Sequence, residues 1–339
     1  MVAQKKWLNP ILVSGAWIYK MICRFHRWLY RSGIRKAFRP EATVISVGNV
    51  TVGGTGKTPL VIMIARNLVL AGKKVAVLTR GYGNDEIHEL TERLDGVPVL
   101  GGKNRALLSR TAVEKHQAEV LILDDGFQHW ALQRDLDIVT INCTNPFGNG
   151  RLLPAGPLRE AEDNLARGGC FVLSKAFQGR QNTVWLRQKL AKLNASAPIF
   201  EADHQPICFV DYRKDRHLPL GMVRQERVAV LSAIEDPASF ENTLSRLGAN
   251  VVYAARFRDH HEFTRAEMDE VFRGCQEAHA RYLVTTAKDG YRLRKILDPQ
   301  HRLPTRILIL QIEVRIDDEE GLVRKCLDVC RLRSVSKTA

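Results

Sequence analysis

The chain has 339 residues, 45% hydrophobic and 26% charged, a globular composition that excludes a disordered or fibrous protein and leaves room for two ordinary domains. Its formal net charge of +14 suggests nucleic acid, an anionic membrane surface or a phosphorylated substrate as partner. The distribution argues against nucleic acid: nine Lys/Arg and no Asp/Glu fall in residues 1–40, leaving the remainder only +5, with no nucleic-acid motif.

The first 40 residues are no standard secretory signal, because a basic segment follows the apolar stretch and a small-residue cleavage site is missing. They are also a poor membrane span, since Pro10 and Lys20 break the apolar run from Trp7 to Ile22. Asn9-Pro10 is a cap and first helical residue. At helical spacing Lys20, Arg24, Arg27, Arg31 and Arg35 share one stripe, opposed by Ile18, Met21, Ile22, Phe25, Trp28 and Leu29. The expectation is an amphipathic helix that lies on an anionic membrane surface through residues 5–36. The alternative is a helix packed on its own domain with a solvated basic back. Seven dispersed cysteines without a Cys-x-x-Cys pair point to neither a disulfide framework nor a zinc site, and fit a reducing compartment.

After Pro40 short apolar runs alternate with helical stretches. Strands are expected at 43–47, 74–79, 97–100, 120–124, 137–142 and 170–173, and helices at 57–71, 103–116 and 180–193. A second series has strands at 227–232, 250–254, 282–286 and 306–312, with helices near 237–247, 264–280, 289–297 and 318–332. Fully apolar strands such as Val120-Leu121-Ile122-Leu123 belong in a parallel sheet covered on both faces. The fold class is therefore α/β: a P-loop NTPase-like domain over 41–203, a linker over 204–226 and a smaller second α/β domain over 227–339, preceded by the membrane-associating helix of 1–40.

Between the first strand and the first helix of this body runs Thr51-Val52-Gly53-Gly54-Thr55-Gly56-Lys57-Thr58, a phosphate-binding loop in the context that such a loop requires. Glycines let backbone N–H groups converge on phosphate, and the helix beginning at Lys57 directs its positive end there. Lys57 would bridge phosphates and Thr58 ligate Mg²⁺. The first glycine of the usual pattern is Thr51 here. The apolar strand ending in Asp124-Asp125 supplies carboxylates for the same metal. Leu173-Ser174-Lys175-Ala176 and Thr286-Ala287-Lys288-Asp289 match a guanine-reading motif only in part, so ATP is the expected nucleotide.

Six segments in order make the sequence resemble the tetraacyldisaccharide 4′-kinases, the lipid A 4′-kinase family. They are Ser46–Pro59, Thr79-Arg80-Gly81-Tyr82-Gly83, Asp124-Asp125-Gly126-Phe127-Gln128-His129, Phe147-Gly148-Asn149-Gly150, Leu153–Glu160 and Phe257–Phe263. The family shares the Thr51 departure. The resemblance implies an ATP- and Mg²⁺-dependent kinase for the 4′-hydroxyl of the tetraacyldisaccharide 1-phosphate precursor in lipid A biosynthesis. Such an enzyme works peripherally at the cytoplasmic face of the inner membrane. Here the loop after Gly83 is shorter than in the family, and the downstream register equates Asp85 with the family's catalytic Asp. Asp85 would then be the general base, supported by His260. The alternative is that Asp85 and Glu86 merely open a helix, and that His260 lies in a surface loop. Arg105 and Arg159 are candidates for stabilising transferring phosphate, Arg159 alternatively for a salt bridge to Glu160 or Glu162. Glu160 and Gln128 are candidates for positioning.

Overall fold

The structure is a computed structural model that describes residues 10–81, 84–259, 261–298 and 303–338, and for 84–86 and 335–338 the backbone course alone. The chain divides into two compact units. Unit 1 comprises Met1–Arg80, Gly96–Asp203 and Arg315–Ala339; unit 2 comprises Gly81–Asp95 and His204–Val314.

Unit 1 begins with α1 (Pro10–Arg31), β1 (Thr43–Asn49), α2 (Lys57–Leu70) and β2 (Val75–Thr79). The chain then enters unit 2 for α3 (Asn84–Arg93) and returns for β3 (Val99–Gly101), α4 (Arg105–His116), β4 (Val120–Asp124), β5 (Leu136–Asn142), β6 (Cys170–Ser174) and α5 (Arg180–Leu193). The strands are ordered β6-β5-β1-β4-β2-β3 and all neighbours are parallel. Every residue of β1, β2, β4 and β6 is buried, as an apolar strand covered on both faces must be. β1 lies between β4 and β5, so the loop after it opens at the point where the strand order reverses, where ligands bind in open α/β sheets. Helix α4 starts because the Asn104 side chain accepts from Leu107 N at 3.1 Å.

β7 (Ile199–Asp211) leaves unit 1 beside β6, and unit 2 continues through β8 (His217–Leu218), β9 (Arg227–Ser232), α6 (Pro237–Arg246), β10 (Asn250–Arg256), α7 (Arg265–Glu277), β11 (Tyr282–Thr286) and α8 (Ala287–Arg294). β12 (Arg306–Ile316) returns the chain to unit 1, which α9 (Glu319–Thr338) completes. In unit 2 the order β10-β9-β11-β12 is parallel, with β8 antiparallel to β7. Helix α3 docks on α8, where His88 meets the Tyr291 ring edge-on at 4.1 Å.

The observed boundaries correct the expected domain limits: Gly81–Asp95, expected within 41–203, belongs to unit 2, and α1 is part of unit 1. Residues 204–226 are no linker: they hold the second part of β7, all of β8 and a 3-10 turn (Leu220–Val223) whose Val223 is buried. α9 belongs to unit 1 and not with the second series. Its Arg333 pairs with Asp135 and donates to the Pro40 carbonyl; Asp135 in turn accepts from Val44 N at 2.8 Å, fixing the start of β1. Cys326 and Cys330 are buried on the same helix as free thiols, which explains their shared face.

Candidate active site

The phosphate-binding loop holds its shape through two left-handed glycines and a wall of neighbouring backbone. Gly53 has φ 114° and Gly56 φ 77°, conformations that a side chain would strain, and Gly56 directly precedes α2. Asn49 Nδ2 donates to Gly53 O at 3.4 Å, and Thr55 Oγ1 lies 2.7 Å from Thr140 Oγ1 on β5. The wall comes from residues 157–159: Val52 N donates to Pro157 O at 2.8 Å and Arg159 N to Val50 O at 2.7 Å. Lys57 and Thr58 open α2, with the Thr58 side chain buried. The loop thus sits at the positive end of a 14-residue helix.

The two aspartates at the end of β4 do different things. Asp124 is 3% exposed at the strand end, in register with Val47 of β1. Asp125, at φ 55°, turns its carboxylate to two cations. Arg159 Nη1 reaches its oxygens at 2.9 and 2.7 Å, and Lys57 Nζ lies 3.5 Å away. Burial alone would raise the Asp125 carboxyl, but Lys57, Arg159 and Arg105 outweigh it and hold the group below its ordinary range. Arg159 therefore pairs with Asp125, and with neither Glu160 nor Glu162. A hydroxyl on Thr58 and a carboxylate on Asp124, both buried and both oxygen donors, suit a hard divalent cation that completes its shell with phosphate and water.

Glu160 and Gln128 hold the frame of the site. Arg167 grips Glu160 with two bonds of 2.9 Å, donates to Phe127 O at 2.8 Å and lies 3.5 Å over the Phe127 ring. Gln128 Nε2 donates to Asn49 O at 2.8 Å. Glycines allow this closeness: a Cβ on Gly48 would stand 2.6 Å from Phe127 Cβ, and one on Gly126 2.7 Å from Ser46 Oγ. Arg105 is buried at the start of α4. It acts on both Asp125 and His129. Burial, then Arg105, Arg134 and Arg80, lower His129 to about 4, leaving a neutral imidazole at physiological pH. His129 belongs to the quoted Gln128-His129 segment, but its neutrality depends on Arg80 and Arg105, distant in sequence, as well as on nearby Arg134.

Of the residues expected in unit 2, Asp85 lies in the first turn of α3 and its side chain is outside the described residues, as is His260. The adjacent His261 was not singled out by sequence. Its Nε2 lies 3.0 and 3.1 Å from the Glu267 carboxylate, and its ring stacks on Phe257 at 4.8 Å. Glu267 also accepts from Thr264 N at 2.8 Å, closing the capping box of α7. Asp289, the last residue of the partial guanine-reading match, is fully buried and bonds Ala233 N at 3.0 Å, Thr286 Oγ1 at 2.8 Å and Arg292 at 2.8 Å. Those bonds anchor α8 to the end of β9.

Helix α1 packs on unit 1 through a face that lies between its apolar and basic ones and takes in Arg27 from the basic stripe. Tyr19 Oη donates to Arg159 O at 3.0 Å, Cys23 Sγ lies 3.9 Å from the same atom, and Arg27 bonds Asn164. Burial first, then Cys23, pushes the Tyr19 phenol up to about 12. These residues border a 330 Å³ cavity shared with Gln128, Trp130 and Glu160. Ile11, Ile18, Ile22, Phe25 and Trp28 are exposed, so the helix rests on its own unit without burying its apolar face. Arg35 lies beyond the helix end.

The sequence model of the tetraacyldisaccharide-1-P 4′-kinases (LpxK) matches residues 8–95 and 85–331. The two stretches overlap on 85–95, beside the shortened loop. The tetraacyldisaccharide 4′-kinase of Anaeromyxobacter sp. strain Fw109-5 is 40% identical over 349 aligned residues, 96% of this chain and 92% of that protein. Its counterpart in Anaeromyxobacter sp. strain K is 42% identical over 307, covering 84% and 81%. The crystal structure of LpxK from Aquifex aeolicus in complex with ATP superposes with a TM-score of 0.71 at 26% identity, covering 94% of this chain and 98% of that one. This chain, an α/β kinase, belongs to the tetraacyldisaccharide-1-P 4′-kinase family.

Proposed function

We propose that the protein transfers the γ-phosphoryl group of ATP to the 4′-hydroxyl of the tetraacyldisaccharide 1-phosphate precursor of lipid A, from the cytoplasmic face of the inner membrane. The observation that carries this reading is the Lys57–Asp125–Arg159 cluster at the mouth of the glycine loop, in a chain of this family. Residues 51–58 would bind the nucleotide phosphates. Thr58 and Asp124 would hold Mg²⁺, with Asp125 beside them fixing Lys57 and Arg159. The metal when bound neutralises charge on the phosphate oxygens.

Asp85 takes the proton of the 4′-hydroxyl as its oxygen bonds to the γ-phosphorus and the bond to the β-phosphate oxygen breaks, releasing ADP. His260 orients that carboxylate. Arg105 and Arg159 stabilise charge on the phosphoryl group in transit. The exposed apolar face of α1, with Lys20, Arg24 and Arg31 alongside, holds the enzyme peripherally against anionic lipid. Among the described residues no helix is long and apolar enough to cross a membrane.

Incubation with labelled ATP, Mg²⁺ and the disaccharide precursor is expected to yield a labelled lipid. Its absence would refute the reading. Asp85→Asn is expected to abolish transfer, and full activity would remove Asp85 as the base. Lys57→Ala is expected to lower turnover by about 10²–10³.

A further inference from the structure

Outside α1, unit 1 exposes three large apolar side chains close together in sequence: Phe177 at 68%, Val184 at 66% and Trp185 at 39%. Phe177 stands in the turn between β6 and α5, and the other two begin the second turn of α5. α5 buries Thr183, Leu186 and Leu190 on its other side, and Trp185 meets the Phe147 ring edge-on at 6.0 Å while still exposing its outer part. β6 is parallel to β5, and β5 to β1. Phe177 therefore leaves the sheet at the same edge where β1 opens into the phosphate-binding loop.

That edge also carries α1. The 3-10 turn Glu162–Arg167 is held from both sides: Asn164 bonds Arg27 of α1, and Glu162 pairs with Lys189 of α5. Lys189 lies 5.3 Å over Phe147 and 5.9 Å over Trp185. Trp17 of α1 and Glu162 line the same 420 Å³ groove. The α5 patch is thus separated from α1 by one short segment. Arg180 and Lys189 of α5 flank it, the nearby Glu162 pairs with Lys189, and the Asp203 carboxylate accepts from Phe177 N at 3.1 Å.

We propose that Phe177, Val184 and Trp185 form a second membrane-contacting patch, seated on the same anionic leaflet as α1. This rests on the reading of α1 as the membrane-associating element. Apolar and aromatic side chains with Arg180 and Lys189 beside them match the boundary between acyl chains and anionic headgroups. Two contacts on one edge fix the tilt of the unit, which a single helix would leave free to roll. The phosphate loop then faces the leaflet that holds the acceptor hydroxyl.

Two forms of the full chain test this, one retaining Trp185 and one retaining Trp17, each with the other four tryptophans replaced by Phe. Both are mixed with phosphatidylethanolamine–phosphatidylglycerol vesicles whose acyl chains carry bromine. Quenching of both emissions is expected. Quenching of Trp17 without Trp185 would overturn the patch and leave α1 as the anchor; quenching of neither would overturn both. Phe177→Ser with Val184→Ser, at unchanged melting temperature, is expected to lower vesicle partitioning by about tenfold, and unchanged partitioning would overturn the proposal. Lipid-free self-association of the wild type that this double variant abolishes would overturn it in favour of a second copy of the chain.

Discussion

Arg159 and Asp125 are 34 residues apart in sequence, yet one guanidinium nitrogen reaches both carboxylate oxygens at 2.9 and 2.7 Å. The bond ties the wall of the glycine loop to the end of β4. With Lys57 on the other side, the carboxylate fixes the two cations nearest the phosphate site.

Asp125→Asn is expected to lower turnover by about 10²–10³, because both cations lose their fixed orientation. The folded-state carboxyl lies below its ordinary value of 3.8. Its stabilising contribution is therefore complete above that pH and disappears as pH falls through the lower folded value. Urea midpoints should show the variant less stable at pH 7, the gap closing below pH 3.8.

Glu160→Ala is expected to act on stability. It leaves the Arg167 charge against Phe127 without its carboxylate, at a cost of about 3–5 kcal/mol. Urea unfolding measures this directly, and an unaltered midpoint with lost activity would instead assign Glu160 to substrate.

His129→Gln should flatten the pH dependence of stability. The folded imidazole is lowered from 6.5 to about 4, so the unfolded chain takes up the proton first. The contribution is full above 6.5 and is lost as pH falls toward 4. Unfolding midpoints at pH 7 and pH 5 should differ less in the variant.

Gly48→Ala inserts a methyl 2.6 Å from Phe127 Cβ and 2.7 Å from Phe127 N. Overpacking of this kind costs about 1–3 kcal/mol. Because β1 and the segment after β4 must part to admit it, weaker ATP binding should accompany the lower melting temperature.

The nucleotide half of the site is legible in sequence because its signals are local. A buried strand, a glycine loop and a helix start follow one another, and Asp124 ends an apolar run. The partners that give Asp125 and Glu160 their roles are not legible: Arg159 and Arg167 meet them through the folding of residues 150–167, and no spacing rule encodes that. Residues 204–226 resemble a linker because His204, Gln205 and Pro206 interrupt the apolar pattern. Ile199–Asp211 still forms a strand, since its start pairs with β6 and its end with β8. The start of helix α3 is legible in Asp85 and Glu86, but its docking is hidden for a similar reason. Asn84–Arg93 carries few apolar residues, and its docking depends on Tyr291 two hundred residues away.

Because α3 is drawn from between two strands of unit 1, the polypeptide changes unit at 80/81, 95/96, 203/204 and 314/315. Neither unit is an uninterrupted stretch of gene. A fragment spanning 204–314 would lack the helix that carries Asp85, and a single proteolytic nick would release neither body. Exchanging one unit between relatives would take four crossovers, so the nucleotide-binding part and the part carrying Asp85 and His260 are inherited together.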